Sequence, residues 1–302
     1  MTATPDPTMK RPANPILTAS LWMVGAIASF STMAIAGREV SISHDTFETM
    51  FYRSCVGIMI VVLAMAFGNR WHEMRTDRIG LHTLRNVSHF AGQNLWFYAV
   101  SVIPLAQVFA LEFTVPLWVL PLSALILAEP ITRVRAFAAL MGFVGILVLT
   151  RPWGAELSFG TFSAMLAAIG FAGSAVFTRR LTRTESLTTI LFYLTTMQAV
   201  FGLVLAAIDG DMALPDATSA PWLVLIGIAG LAAHFCLTTA LKLAPATIVM
   251  PIDFARLPLI ALVGWLFYNE GVDAPLIIGA AIILTANWVN LRFSMRSPRA
   301  KP

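Results

Sequence analysis

The chain has 302 residues, of which 58% are hydrophobic and only 12% charged, with a mean hydropathy of +0.77 and a formal net charge of +4. A soluble domain carries about 25% charged residues, so this chain has too few polar side chains to coat a water-facing surface. Composition excludes an ordinary soluble domain and places the chain among membrane proteins. The positive charge asks for no nucleic-acid partner, because topology accounts for where it falls.

Residues 1–14 hold Pro5, Pro7 and Pro12 and read as a disordered cytoplasmic tail. A spanning helix needs about 20 mostly apolar residues. Ten such spans follow, at 15–36, 46–67, 82–101, 104–127, 132–150, 158–178, 187–208, 221–241, 245–268 and 273–292. Their apolar runs are continuous rather than alternating, which excludes a spanning β-barrel. Ala34-Ile35-Ala36 resembles a signal-peptide cleavage site, but span 1 is long for such a segment and reads as a retained helix. Cys55 and Cys236 fall inside spans and read as small buried packing residues. A short basic tail, 294–302, ends the chain.

Basic residues alternate from loop to loop. Lys10, Arg11, Arg70, Arg75, Arg78, Arg85, Arg133, Arg135, Arg179, Arg180, Arg183, Lys242, Arg292, Arg296, Arg299 and Lys301 fall on one side, whereas the other has Arg38 and Arg151. Arg53 and Arg256 sit within spans. The opposite loops carry Asp209, Asp211, Asp216, Glu270 and Asp273 instead. The positive-inside rule then puts both termini in the cytoplasm of a multi-pass protein of the bacterial inner membrane.

A shift of 141 positions aligns the two halves of the chain. Phe51-Tyr52 meets Phe192-Tyr193, Pro104 meets Pro245, Phe113 meets Phe254, Arg38 meets Arg179 and Glu129 meets Glu270. Glu112 meets Asp253, and Gln93 meets His234. The register is lost only after Glu129, where the final helices of the two halves differ in spacing. Five spans per half is an odd number, so the second half enters from the opposite side. The expected fold is an all-α membrane protein: ten transmembrane helices as two inverted five-helix repeats, 15–150 and 151–293, around a central cavity. Inverted repeats of this kind belong to transporters.

The stretches FTVPLWVLPLSALILAEP at 113–130 and RAFAALMGFVGILVLTRP at 135–152 follow a short turn at 101–106. This segment resembles the EamA family of the drug/metabolite transporter superfamily. The second half echoes it with Pro245 and Glu270, and Arg53 occupies the place of an arginine common in these domains. The resemblance implies a cavity lined mainly by spans 1, 3, 4, 6, 8 and 9. It also implies a substrate among small organic solutes such as amino acids, nucleotide-like compounds and vitamins. Two features depart from the family: Leu194 stands at the Arg53 equivalent, and Asp253 and Arg256 occupy span 9 where many members are apolar. Both point to a distinct substrate or coupling group.

A charge at mid-bilayer costs at least about 2.5–3.5 kcal/mol, so each needs a reason. Glu112 lies eight residues past Pro104, roughly 12 Å into the membrane. Asp253 lies at the same depth in the related span. The pair can serve as substrate-ammonium ligands or proton carriers. Alternatively, Arg53 neutralises Glu112 while Arg256 pairs with Asp253 at i, i+3. Asn86, His89, Gln93 and Trp96 form one stripe on span 3, facing protein or water rather than lipid; it is either an inter-helix hydrogen-bonding seam or a cavity wall. His234 adds a polar group at the Gln93 equivalent. Pro116 and Pro121 in span 4, and Pro251 and Pro258 in span 9, are candidate hinges around the carboxylates.

Neither an H-E-x-x-H, a G-x-S-x-G, a Walker A nor a Cys/His metal spacing occurs, so an enzyme, like a channel, is the weaker reading. The expected function is secondary transport of a small metabolite by alternating access. Acids, amines and aromatics together favour an amino acid or related zwitterion or cation, moved outward. The alternative is uptake or exchange of a nucleoside-like or vitamin-like solute. Expected partners are that solute, the lipid bilayer and protons as a candidate coupling ion. No cofactor or metal is called for, and the chain is expected to act as a monomer.

Overall fold

A computed structural model of the chain describes residues 14–151, 158–210, 212–269 and 274–296. Most of both expected tails, together with Asp211, Glu270 and Asp273, lies outside the described residues. The first half is α1 (Pro15–Val40), α2 (Thr46–Phe67), α3 (Ile79–Val102), α4 (Leu105–Glu112), α5 (Val115–Leu127) and α6 (Arg133–Thr150). The second is α7 (Phe159–Leu181), α8 (Leu187–Asp209), α9 (Ala220–Leu243), α10 (Ala246–Ile252), α11 (Arg256–Tyr268) and α12 (Ala274–Arg296). Among the described residues, six stretches are long and apolar enough to cross a membrane: α1, α2, α7, α8, α9 and the run Ala246–Tyr268.

Local chemistry sets the ends. Asn14 Oδ1 accepts from Leu17 N at the start of α1, where Pro15 fills a position that needs no N–H. Asp45 and Glu48 form a reciprocal capping box on α2. Spans 4 and 9 are not single helices. Span 4 breaks between α4 and α5 at Phe113–Thr114, and span 9 passes through a 3₁₀ turn at Asp253–Ala255.

The 141-residue register holds in the backbone to the residue. α2 and α8, α3 and α9, α4 and α10, and α5 and α11 each begin 141 positions apart. The turns match as well: Pro104 and Pro245 open α4 and α10 with φ −55° and −58°, and the residues before them are extended, as a following proline requires. Ala128 and Asn269 close α5 and α11 in the left-handed conformation, at φ 55° and 54°.

Packing follows the same exchange. The main inter-half pairs are α1 with α9, α3 with α7, α2 with α8, and α6 with α12; swapping the halves maps this set onto itself. At the α3–α7 crossing a Cβ on Gly170 would stand 2.8 Å from the Gly92 Cα, so this approach needs two glycines. Large apolar side chains such as Leu125, Phe137, Ile208 and Phe267 are exposed, while Arg53, Arg85, Asn86, Gln93 and His234 are buried. Apolar outside and polar inside is the arrangement of a multi-pass membrane protein. Cys55 points outward on α2 rather than into the packing, and Cys236 is half-buried; both are free thiols.

Candidate functional site

The breaks in spans 4 and 9 bring Glu112 and Asp253 to one place. Glu112 ends α4, Asp253 follows α10, and Arg256 opens α11, three residues on. Pro116 near the start of α5 lacks the N–H that would continue α4, so the chain restarts beside Glu112. Since α4 packs on α11, Arg256 Nη2 donates to both Glu112 Oε1 and Asp253 Oδ2, the latter at 2.7 Å. All three side chains are buried. Trp96 Nε1 donates to the other Glu112 oxygen at 2.7 Å. The Arg256 guanidinium lies 5.2, 4.7 and 5.5 Å from the rings of Phe30, Phe109 and Phe113, within cation–π range.

The expected Arg53–Glu112 pair is therefore replaced. Arg256 takes Glu112 as well as Asp253, and Arg53 instead donates to Met50 Sδ at 3.6 Å. Its guanidinium packs on Gly230 of α9, in the wall of a small second cavity with Gln198 and His234. The four candidate hinge prolines fall at two kinds of position. Pro121 and Pro251 lie inside α5 and α10, but Pro116 and Pro258 sit in the first turns of α5 and α11, after the breaks.

Glu112, Asp253 and Arg256 border a cavity between the halves, walled by α1, α3, the α4–α5 break, α7, α9 and the α10–α11 break. These are the spans expected from the family resemblance. A water-sized sphere has about 60 Å³ to move its centre in, enough for on the order of four waters. Three members of the α3 stripe line it: His89, Gln93 and Trp96. Asn86 does not, and is an inter-helix link: its Nδ2 donates to His82 O, and Gln198 Nε2 donates to its Oδ1 at 3.2 Å. His234 lines the cavity and meets His89 edge-on, with ring centroids 4.6 Å apart. Gln93 Oε1, His89 Nε2, both His234 ring nitrogens, Asp253 Oδ1 and Arg256 Nε are buried without a hydrogen-bond partner. Such groups are costly when left unsatisfied.

Charge alternation counts Arg85, at the start of span 3, with the basic residues of the cytoplasmic side; in the structure it lies inside α3, is 2% exposed and lines the cavity. Its Nε donates to Thr178 Oγ1 at 3.1 Å and its Nη1 to Asn86 Oδ1 at 3.0 Å. The stripe carries the signal: Arg85, His89 and Gln93 recur every four residues. Ser174, Thr178 and Thr238 also line the cavity and carry no sequence signal that separates them from other span hydroxyls.

Charged contacts tie the helix ends together. Arg179 lies 3.6 Å from Glu129 and donates to the carbonyls of Leu241 and Lys242. Arg180 and Arg183 donate to the carbonyls of Ile126 and Leu127. At the other end Arg38 stacks on Tyr268, whose hydroxyl donates to Glu39 at 3.0 Å.

The EamA-like transporter family matches the chain twice, over residues 17–151 and 158–292. A riboflavin transporter of Vibrio cholerae is 31% identical over 89% of this chain and 91% of its own length. A pseudopaline exporter of Pseudomonas aeruginosa is 30% identical over 88% of this chain and 93% of that protein. An S-adenosylmethionine uptake transporter of Rickettsia bellii is 25% identical over 88% and 90%. A solved structure superposes at TM-score 0.75 over 93% of this chain and 99% of its own, at 20% identity, and so shares the fold. These relatives carry small metabolites and none is named as an enzyme. With two family matches side by side along a chain whose backbone repeats in the same way, this protein belongs to the EamA-like transporter family.

Proposed function

We propose that the chain is a secondary carrier of a flat heteroaromatic metabolite, of flavin or nucleoside size, bound between its halves. The carrying observation is the cavity itself: aromatic faces from Phe30, Trp96, Phe113 and Phe171 stand beside unsatisfied polar atoms of His89, Gln93 and His234. Ring faces favour stacking against a flat solute, and orphaned donors and acceptors favour its polar edge. Riboflavin and S-adenosylmethionine, named for two relatives, both contain fused heteroaromatic rings. The expectation of amino-acid export draws no support from these names; the vitamin-like alternative does.

In this reading Glu112 and Asp253 bind the solute or a proton, and Arg256 exchanges between them. The cavity as it stands has room for a few waters but not for a solute of flavin size, so binding requires the halves to part. The helix breaks beside the carboxylates, with Pro116, Pro121, Pro251 and Pro258 around them, act as the hinges. The Arg179–Glu129 cluster and the Arg38–Tyr268–Glu39 cluster act as gates at the two ends. The spans number ten, in inverted halves, in a bacterial inner membrane with both termini cytoplasmic.

Flux into proteoliposomes tests this, using riboflavin, S-adenosylmethionine and a set of amino acids, each with and without a pH gradient. Saturable movement of a heteroaromatic solute, with amino acids inert, is the expected result. Amino-acid flux without heteroaromatic flux overturns the reading.

A further inference from the structure

Arg53 and Arg85 are buried, at 7% and 2% exposure, and among the described residues neither lies within 4.0 Å of a carboxylate. Arg256 has two carboxylates and an aromatic box; these two have neutral partners only. Arg85 donates to Thr178 and Asn86, and Arg53 to a methionine sulfur. Arginine stays protonated in proteins, and a buried charge is costly without a counter-charge. At the 141-residue equivalents stand Leu194 and Ile226, both buried, so the second half packs the same positions with aliphatic side chains.

Two histidines connect the arginines. His89 lies one turn from Arg85 on α3, and its ring meets that of His234. His234 lies one turn beyond Gly230 on α9, where a Cβ would stand 2.5 Å from Arg53 Nη2; glycine makes room for the guanidinium. His234 lines both the inter-half cavity and the small cavity that Arg53 borders. His89 Nε2 and both His234 nitrogens lack partners. The result is a buried run of polar side chains: Arg85, His89 and His234 line the inter-half cavity, and Arg53 borders the adjoining small cavity that His234 also lines. Along α3, Arg85 and His89 stand roughly 10–16 Å from Trp96 at 1.5 Å per residue.

We infer that Arg53, Arg85, His89 and His234 form an oxyanion subsite, and that the transported heteroaromatic solute itself carries the anion, a phosphate or carboxylate. The heterocycle lies toward Trp96 and Glu112, and the anionic end reaches the arginines, whose planar forks suit such groups. The identity of the solute as heteroaromatic rests on the proposed function; the anion subsite does not.

Two measurements on purified protein in nanodiscs test it. In the first, inorganic phosphate replaces chloride at constant ionic strength and pH, and the unfolding temperature is followed. A saturable rise in wild type that is lost in Arg85→Gln and Arg53→Gln, and partly kept in Arg85→Lys, supports the subsite; no saturable rise, or one unchanged in both glutamine variants, overturns it. In the second, binding of riboflavin is compared with that of its 5′-phosphate. At least tenfold tighter binding of the phosphate, reduced to parity by Arg85→Gln, is expected. Equal binding of the two flavins overturns the claim that the solute carries the anion. A phosphate-dependent rise with neither flavin bound leaves the subsite standing and overturns the heteroaromatic reading instead.

Discussion

Two carboxylates sharing one guanidinium leave the Glu112–Arg256–Asp253 cluster with one negative charge in excess when both acids are ionised. Sharing is possible because each acid ends a helix beside the residue that opens α11. Breaking a buried ion pair by removing one partner costs roughly 3–5 kcal/mol. Arg256→Gln should therefore lower stability by about that amount, read in chemical unfolding, and abolish transport. Adding Glu112→Gln and Asp253→Asn should restore stability but not transport. Equal stability of Arg256→Gln and wild type would show that the pairing contributes little. At this scale the sequence was partly legible: intramembrane charge pointed to both acids and to Arg256, and helical spacing to His89, Gln93 and Trp96. Which arginine meets Glu112 was not legible, because it depends on a helix break that a continuous apolar run conceals. Arg85 was hidden for another reason, since a basic residue near a span end fits the interfacial charge pattern until packing shows it buried against Thr178 of α7.

At the scale of elements, short turns and close crossings set the geometry. The Pro104 and Pro245 turns were legible from sequence, because proline fixes its own φ and extends the residue before it. The α3–α7 crossing was not, since glycine is common in spanning helices and only packing shows which one is needed. Gly170→Leu would drive a side chain into the Gly92 backbone and should destabilise the protein by about 1–3 kcal/mol, with a lower yield of folded carrier; unchanged thermal stability would contradict the crossing. The loop before α9 gives a pH prediction. Asp216 accepts from Thr218 N, Thr218 Oγ1 and Ser219 N, and these bonds hold its carboxyl well below the usual carboxylate range. A depressed folded value stabilises the loop above the unfolded pKa of about 3.9, and that contribution is lost as pH falls through the folded value. Asp216 should titrate below other exposed carboxylates by NMR, and Thr218→Ala should move it upward.

Over the whole molecule, a 141-residue register that governs helix starts, caps and inter-half packing makes the two halves interchangeable frames around one cavity. Their differences lie at the cavity: Glu112 and Asp253 match, but Arg256 of the second half meets Val115, while Trp96 and Arg85 of the first meet Leu237 and Ile226. Hydropathy conveyed the apolar helices, because each must satisfy the membrane on its own. It could not convey the cavity, which exists only where helices of six spans converge. Orientation is open to a direct check: a fluorescent protein fused to the C-terminus should fluoresce, and alkaline phosphatase fused there should be inactive, if that end is cytoplasmic. Occupancy of the inter-half cavity is the claim on which the rest depends. With Cys55 and Cys236 replaced by serine, Ser174→Cys places one thiol on the cavity wall. A small membrane-permeant thiol reagent should label it, and saturating riboflavin or its 5′-phosphate should slow that labelling at least tenfold, while a cysteine at the outward-facing Leu125 stays unaffected. Labelling of Ser174→Cys at the same rate with and without solute, in protein that transports that solute, would contradict the account.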